Sequence, residues 1–422
     1  MNVSSLSQPA EPPTPLPRGG LMRRLLKSPQ RRLLERLMQQ VQHGALTVHL
    51  PSGERLETRG AEPGKHAELH IVRWRALWRL MSEGDLGFAR AYGRGDWHTP
   101  DLVQLLDFAL DNEAAWGQAL QGQRWARALS RMGHLLNANT RRGSRDNITF
   151  HYDLGNNFYA QWLDPQMLYS SALYRTGSET LEQAQEERLQ CISRMLDTPR
   201  QAQVLEIGCG WGALAVRLAS EQEAQVTGLT LSHEQLAHAR QRAAGAGVAP
   251  LVDLRLQDYR DTQGQYDRIV SIEMIEAVGE AFWPTYFETL KRCLRPGGKV
   301  LLQAITIDEA FFDNYRNGAD FIQRCIFPGG MLPTREILSA QAERAGLVLR
   351  EAQRFGASYA LTLAEWRRRF VAAAPQIGVL GFDRNFRRLW EYYLSYCEAG
   401  FNAGRIDVGL YAFEHATAPA TP

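Results

Sequence analysis

The sequence predicts an α/β protein. Its larger C-terminal part reads as a mainly parallel sheet with helices on both faces, and a smaller mixed α/β domain precedes it. Three observations carry this. From residue 203 onward short apolar runs alternate with helical stretches, the pattern of repeated β-α units. The first of those runs ends in Gly208-Cys209-Gly210-Trp211-Gly212, a glycine-rich turn from which a helix opens. The length, 422 residues, exceeds the needs of one small domain.

Taken in chain order, residues 1–17 read as a disordered tail, because Pro9, Pro12, Pro13, Pro15 and Pro17 block regular structure. A first domain is expected over 18–140. It opens with the basic, amphipathic segments Leu21–Lys27 and Arg31–Leu37, which suit either an anionic lipid surface or the face of their own domain. Residues 40–60, with the turn Pro51-Ser52-Gly53, read as a small β unit, and Leu102, Leu105, Leu106, Phe108 and Ala109 recur at helical spacing. The polar stretch Asn137–Arg145 reads as a linker into a second domain, 141–422. Its strands are expected at Gln203–Ile207, Gln225–Leu229, Val252–Leu256, Tyr266–Ile272 and Lys299–Ile305. Its helices are expected at Gly212–Ser220, His233–Ala244 and Trp283–Leu294.

Composition removes several function classes. Hydrophobic residues make up 44% and charged residues 22%, with a net charge of +2, so the chain as a whole is no polyelectrolyte binder. Cys191, Cys209, Cys293, Cys325 and Cys397 form no CxxC pair, so no metal site is expected and a reducing cytoplasm fits. No run of 18 apolar residues spans a bilayer and no signal peptide opens the chain, which makes any membrane contact peripheral, at the inner face.

The strongest motif is Val204-Leu205-Glu206-Ile207-Gly208-Cys209-Gly210-Trp211-Gly212. A dinucleotide site wants GxGxxG, whereas this spacing is GxGxG behind an acid. It resembles the first motif of class I methyltransferases, whose Rossmann-like sheet binds S-adenosylmethionine (SAM). That resemblance implies that Glu206, Gly208, Gly210 and Gly212 cradle the methionine end. The second strand ends without an acid, so the uncharged Thr230, Ser232 and Gln235 are the candidates to hydrogen-bond the ribose, with Leu231 beside them in the SAM site, and Gln257, Asp258 and Tyr259 are those for the adenine. Ser232 also reads as a helix N-cap. The Asn/Asp-Pro-Pro-aromatic motif of base-modifying enzymes is absent after the fourth strand, which argues against a nucleic-acid acceptor.

Further stretches extend the likeness: His151-Tyr152-Asp153-Leu154-Gly155-Asn156, Leu168-Tyr169-Ser170-Ser171-Ala172, Gln257-Asp258-Tyr259-Arg260-Asp261, Glu273-Met274-Ile275-Glu276, Ile326-Phe327-Pro328-Gly329-Gly330 and Phe355-Gly356-Ala357-Ser358-Tyr359. Together they resemble the cyclopropane-fatty-acyl-phospholipid synthases and mycolic acid cyclopropane synthases over roughly residues 147–415. The resemblance implies methyl transfer from SAM to a cis double bond of a phospholipid acyl chain, a carbocation, and ring closure as a base removes a proton from the new methyl group. It adds Tyr169 and Ser170 to the SAM site. It also implies a bound bicarbonate as base, held by Glu276, Tyr359, the Ile305 backbone and the positions of Ser171 and Gln303. The family carries cysteine and histidine at the last two. Gln303 cannot supply a positive charge, so bicarbonate is left open, with Glu276 as the carboxylate to replace it and Glu273 as a supporting group. A methylene- or methyl-branched chain is the alternative product, and a soluble small molecule the alternative substrate. A homodimer is also left open.

An acyl chain needs an apolar tunnel that protects the cation from water. Candidates for its walls are Phe311, Phe312, Tyr315, Phe321, Ile322, Ile326, Phe327, Trp390, Tyr392, Tyr393 and Tyr396. Arg367-Arg368-Arg369, and Arg384 with Arg387-Arg388, are the candidate contacts for phospholipid headgroups at an anionic surface.

Overall fold

The structure, a computed structural model, describes residues 29–119, 154–318 and 320–416. The expected tail, the basic segment Leu21–Lys27, the linker and His151–Asp153 lie outside the described residues.

The first unit contains α1 (Pro29–Gln39), β1 (His43–His49), β2 (Arg55–Arg59), β3 (Glu62–Ile71), α2 (Arg75–Glu83), α3 (Asp85–Gly93), β4 (Trp97–His98), α4 (Leu102–Asp111) and α5 (Glu113–Ala119). Its sheet runs β2-β1-β3-β4, with β1 and β3 parallel and the other pairs antiparallel. Alternation along β1 and β3 sends Leu46, Val48, Ala67, Leu69 and Ile71 to the covered face. α4 lies against β3 and is capped by Asp101, whose carboxylate accepts from the Gln104 N–H at 2.9 Å.

The second unit contains α6 (Asn156–Tyr159), α7 (Leu181–Leu196), β5 (Gln203–Ile207), α8 (Ala213–Gln222), β6 (Gln225–Thr230), α9 (His233–Gly245), β7 (Val252–Leu256), β8 (Tyr266–Ile272), α10 (Trp283–Cys293), β9 (Leu294–Ile307), α11 (Glu309–Asn317), α12 (Phe321–Cys325), α13 (Arg335–Arg344), β10 (Leu347–Arg354), α14 (Gly356–Ala372), α15 (Ala374–Val379), α16 (Arg384–Asn402) and β11 (Ile406–His415). The sheet order is β10-β11-β9-β8-β5-β6-β7, with only β11 running against its neighbours. This is the expected Rossmann-like class I methyltransferase arrangement. β5 is central because the chain leaves it toward β6 and β7, then returns to its other side with β8. The carboxyl end of β5 is therefore a topological switch point, where open α/β sheets bind ligands.

The five expected strands and three expected helices all form, with ends shifted by a few residues; β9 starts at Leu294, earlier than expected. The sequence reading did not anticipate β10, β11, α14 and α16. α16 joins the two units by packing on α3 and α4. There the Arg388 guanidinium lies 3.8 Å from the centre of the Tyr92 ring and donates to the Tyr92 and Trp97 carbonyls at 2.7 and 3.1 Å.

Candidate active site

β5 delivers the glycine loop to the wall of a cavity of about 1170 Å³. Gly208, Gly210 and Gly212 all have positive φ, of 82°, 52° and 80°. A side chain at Gly210 would meet nothing within 4 Å, so that position faces open space, whereas a Cβ at Gly212 would strike the Ala239 Cβ at 2.8 Å. Gly210 therefore leaves room for a ligand, and Gly212 lets α8 approach α9. Thr230, Leu231, Gln235, Gln257, Tyr259 and Tyr169 also line the cavity. Thr230 donates to the Gln235 side-chain oxygen at 2.8 Å, and Ser232 caps α9 through the Gln235 N–H. Ser170, Glu206 and Asp258 are buried behind the wall instead of forming it. Asp258 is gripped by Arg260 at 2.6 Å.

Glu206 fits the demands of SAM. Burial pushes its carboxyl up to about 8, and its Oε2 has no hydrogen-bond partner. A ligand ammonium beside the glycine loop would supply the missing counter-charge.

The groups expected around bicarbonate are brought together but do not share one anion. Glu273 occupies their centre. Its Oε1 accepts from the Ser171 backbone N–H at 2.9 Å and from Gln303 Nε2 at 2.6 Å, and its Oε2 accepts from the Tyr359 hydroxyl at 2.6 Å. The Ser171 hydroxyl turns away to the Ala172 carbonyl. Ile305 donates its N–H to Glu276 at 2.5 Å. These residues do not fit a bound bicarbonate, because a carboxylate of the chain already takes three of the donors and Glu276 takes a fourth. The sequence reading assigns Glu273 only a supporting role, whereas its carboxylate sits at the centre of these donors.

Glu273 reaches this place through a left-handed backbone, φ 48°, just beyond β8. Such a conformation is costly for a residue with a Cβ and recurs at functional sites. Its N–H bonds to the Gln303 carbonyl at 2.8 Å, which ties the bend to β9. Burial raises both carboxyls, Glu276 to about 8 with further help from the charge of Glu273. Three donors face Glu273 and one faces Glu276, whose Oε2 is unpartnered. The ionised form is therefore better supported by hydrogen bonds at Glu273 than at Glu276.

Arg188, on α7, was not picked out from the sequence. It is buried, donates to Gln185 at 3.0 Å and reaches the Gln303 side-chain oxygen at 3.4 Å. Gln303 thus links a buried cation to the Glu273 carboxylate, which supplies the positive charge that Gln303 itself lacks.

The sequence matches the family described as Mycolic acid cyclopropane synthetase over residues 139–410. The chain belongs to that family. It is accordingly a SAM-dependent methyltransferase, with SAM as co-substrate. It is 38% identical over 360 residues to the tuberculostearic acid methyltransferase UfaA1 of Mycobacterium tuberculosis, covering 83% of each chain. It is 36% identical over 341 residues to the cyclopropane-fatty-acyl-phospholipid synthase of Escherichia coli K12, covering 79% of this chain and 84% of that one. A solved structure of the mycolic acid cyclopropane synthase CmaA1 with SAH and CTAB superposes with a TM-score of 0.60 at 29% identity. It covers 64% of this chain and 97% of its own.

Of the aromatic and aliphatic tunnel candidates, Phe311, Tyr315, Ile322, Phe327, Tyr392, Tyr393 and Tyr396 line the cavity of this family member. Phe312, Phe321, Ile326 and Trp390 are core. The arginine clusters are largely engaged within the protein. Arg367 pairs with Glu398 at 3.0 Å, Arg368 with Glu365 at 2.7 Å, Arg369 with Glu182 at 2.8 Å, and Arg387 donates to the Ala374 carbonyl at 2.8 Å. Among the described residues one group has metal-ligand chemistry: His49, Glu68 and His70, on the N-terminal sheet and outside the cavity wall. No helix among them is long and apolar enough to cross a membrane.

Proposed function

We propose that this methyltransferase alkylates the cis double bond of an unsaturated phospholipid acyl chain and that Glu273 is the base. SAM supplies the methyl group. The observation that carries the reading is the Glu273 carboxylate, held by Ser171, Gln303 and Tyr359 in a cavity whose wall is mostly apolar. An alkene is its own nucleophile, so the first step needs orientation and exclusion of water, which Tyr393, Phe327 and Ile322 provide. Positive charge then develops on the neighbouring carbon, where a fixed carboxylate stabilises it. Glu273 takes a proton from the new methyl group, and the electrons of that C–H bond close the ring. The net change is addition of CH2 to the chain, with one proton left on Glu273. Gly208, Gly210, Thr230, Leu231, Gln235, Gln257 and Tyr259 would hold SAM, with Glu206 behind them and Tyr169 at its methyl end.

A second product has specific support. The fixed carboxylate at 273 goes together with Ser171 and Gln303, and a relative named for tuberculostearic acid is 38% identical over 360 residues. A hydride shift before proton loss would give an exomethylene branch, an isomer of the ring. Expression in a host without such an enzyme, followed by mass and NMR analysis of its phospholipids, tests both. One added CH2 with upfield ring protons supports the cyclopropane, and vinylidene protons support the branch. Unchanged acyl chains beside an active SAM-consuming protein would refute the lipid reading.

The division at 1–17, 18–140 and 141–422 and a peripheral position on the inner membrane face are part of the proposal. Because the late arginines are mostly paired, the basic N-terminal segment is the proposed lipid contact. Flotation with anionic vesicles, with and without that segment, tests it.

A further inference from the structure

The cavity does not stop at the second unit. Beyond Glu273 and Tyr359 it follows the seam between α4 and α16, where Leu106, Ala109 and Leu110 face Tyr396, Ala399 and Gly400. Within the first unit its wall includes Leu34, Leu46, Leu69, Leu77 and Leu105, which are buried. At about 1170 Å³ it exceeds the roughly 300–1,000 Å³ usual for a single small ligand, so it has room for SAM and a second, elongated molecule. The family match begins at residue 139, after this leucine-lined part.

We propose that the leucine core of the N-terminal unit houses the methyl end of the substrate's acyl chain and so measures the length beyond the double bond. This rests on the acyl-alkene reading above. The direction follows from chemistry. A buried aliphatic pocket accepts a hydrocarbon terminus, whereas the carboxyl end carries glycerol and phosphate, whose burial there would be strongly unfavourable. Reacting carbons beside Glu273 fix one point on the chain, and the distance to the leucines then sets how many methylenes fit.

The test uses the full chain, SAM and phosphatidylglycerol vesicles bearing oleoyl, palmitoleoyl or cis-vaccenoyl chains. Oleoyl has two more methylenes beyond its double bond than either of the others. Leu77→Phe, which fills the pocket, is expected to lower the oleoyl-to-palmitoleoyl turnover ratio roughly tenfold, about the value of two displaced methylenes. The cis-vaccenoyl-to-palmitoleoyl ratio should hold. Leu77→Ala, which enlarges the pocket, should move the first ratio the other way and guards against a misfolded first variant. Unchanged ratios in both variants, or a selective loss of cis-vaccenoyl turnover, would overturn the proposal. If the wild type modifies none of the three chains, the acyl-alkene reading itself falls.

Discussion

Replacing Glu273 by glutamine separates chemistry from architecture at this site. The amide oxygen can take the place of Oε1 and keep the bonds from the Ser171 N–H and Gln303 Nε2. The amide nitrogen then faces the Tyr359 hydroxyl, which can turn from donor to acceptor. All three contacts survive, so folding and SAM binding should change little. What is lost is the proton acceptor, and a positioned general base is worth roughly 10²–10⁴ in rate, about 3–5 kcal/mol of barrier. Glu276→Gln should cost far less, because a neutral group at 276 can still accept from the Ile305 N–H. The assay is single-turnover product formation on unsaturated vesicles, with SAM affinity measured by calorimetry. The wild type should also lose activity as pH falls and Glu273 takes a proton. That acid limb should lie above the ordinary carboxylate range, since burial raises the group, and it should vanish in E273Q. Full activity in E273Q, or an equal loss in E276Q, would refute the assignment.

Three further outcomes follow from the same geometry. Removing dissolved carbon dioxide should leave wild-type turnover unchanged, whereas E273G, which suits the positive φ, should be inactive and partly rescued by added formate or bicarbonate; bicarbonate dependence of the wild type would contradict this. Glu206, raised to about 8 by burial, must lose its proton to act as counter-charge to a cationic ligand, so SAM affinity should rise as pH approaches that value and fall again once the ligand's own α-ammonium deprotonates. A pH-independent dissociation constant in calorimetry would refute this. Arg388→Ala removes two hydrogen bonds and a cation–π contact at the junction of the units, so the melting temperature should fall by several degrees, read by circular dichroism, with little change in SAM affinity.

The sheet was legible because its signals are local. β5, β7 and β8 occupy the expected residues: β5 and β8 contain short apolar stretches, and β7 alternates apolar with charged residues. β10 was not legible: it is a largely polar edge strand, and its place depends on pairing with β11 far along the chain. The site was legible in membership but not in partnership. Ser171, Gln303, Ile305 and Tyr359 do converge, yet which carboxylate they serve depends on a backbone torsion at residue 273, and no periodicity in the sequence encodes it. Arg188 was hidden for a related reason. An arginine within Glu186-Glu187-Arg188-Leu189 reads as a solvated helix face until tertiary packing buries it. The positive φ at Glu273, the first of the two acids beyond β8, was the structural signal that sequence alone could not supply.

A carboxylate carried by the chain also changes what the site must do between turnovers. On the proposed reading, a diffusible base could leave with its proton, whereas Glu273 could not. Its proton must then return to solvent between turnovers, and the group on Oε2 is the Tyr359 hydroxyl, whose ring packs near Trp366 beside Tyr169 and Tyr393. Tyr169 and Tyr393 share a hydrogen bond of 2.8 Å. Tyr169 lies on the cavity wall it shares with the glycine loop, so one cluster touches both the base and the place where SAM is exchanged. Burial holds the Tyr359 phenol well above its usual range, which keeps it a donor to Glu273 during methyl transfer and prevents it from competing as an anion. The buried Arg188, acting through Gln303, opposes the full rise that burial alone would give Glu273. If Glu273 is the base, as proposed, little basicity is required of it, because a carbocation gives up a proton readily.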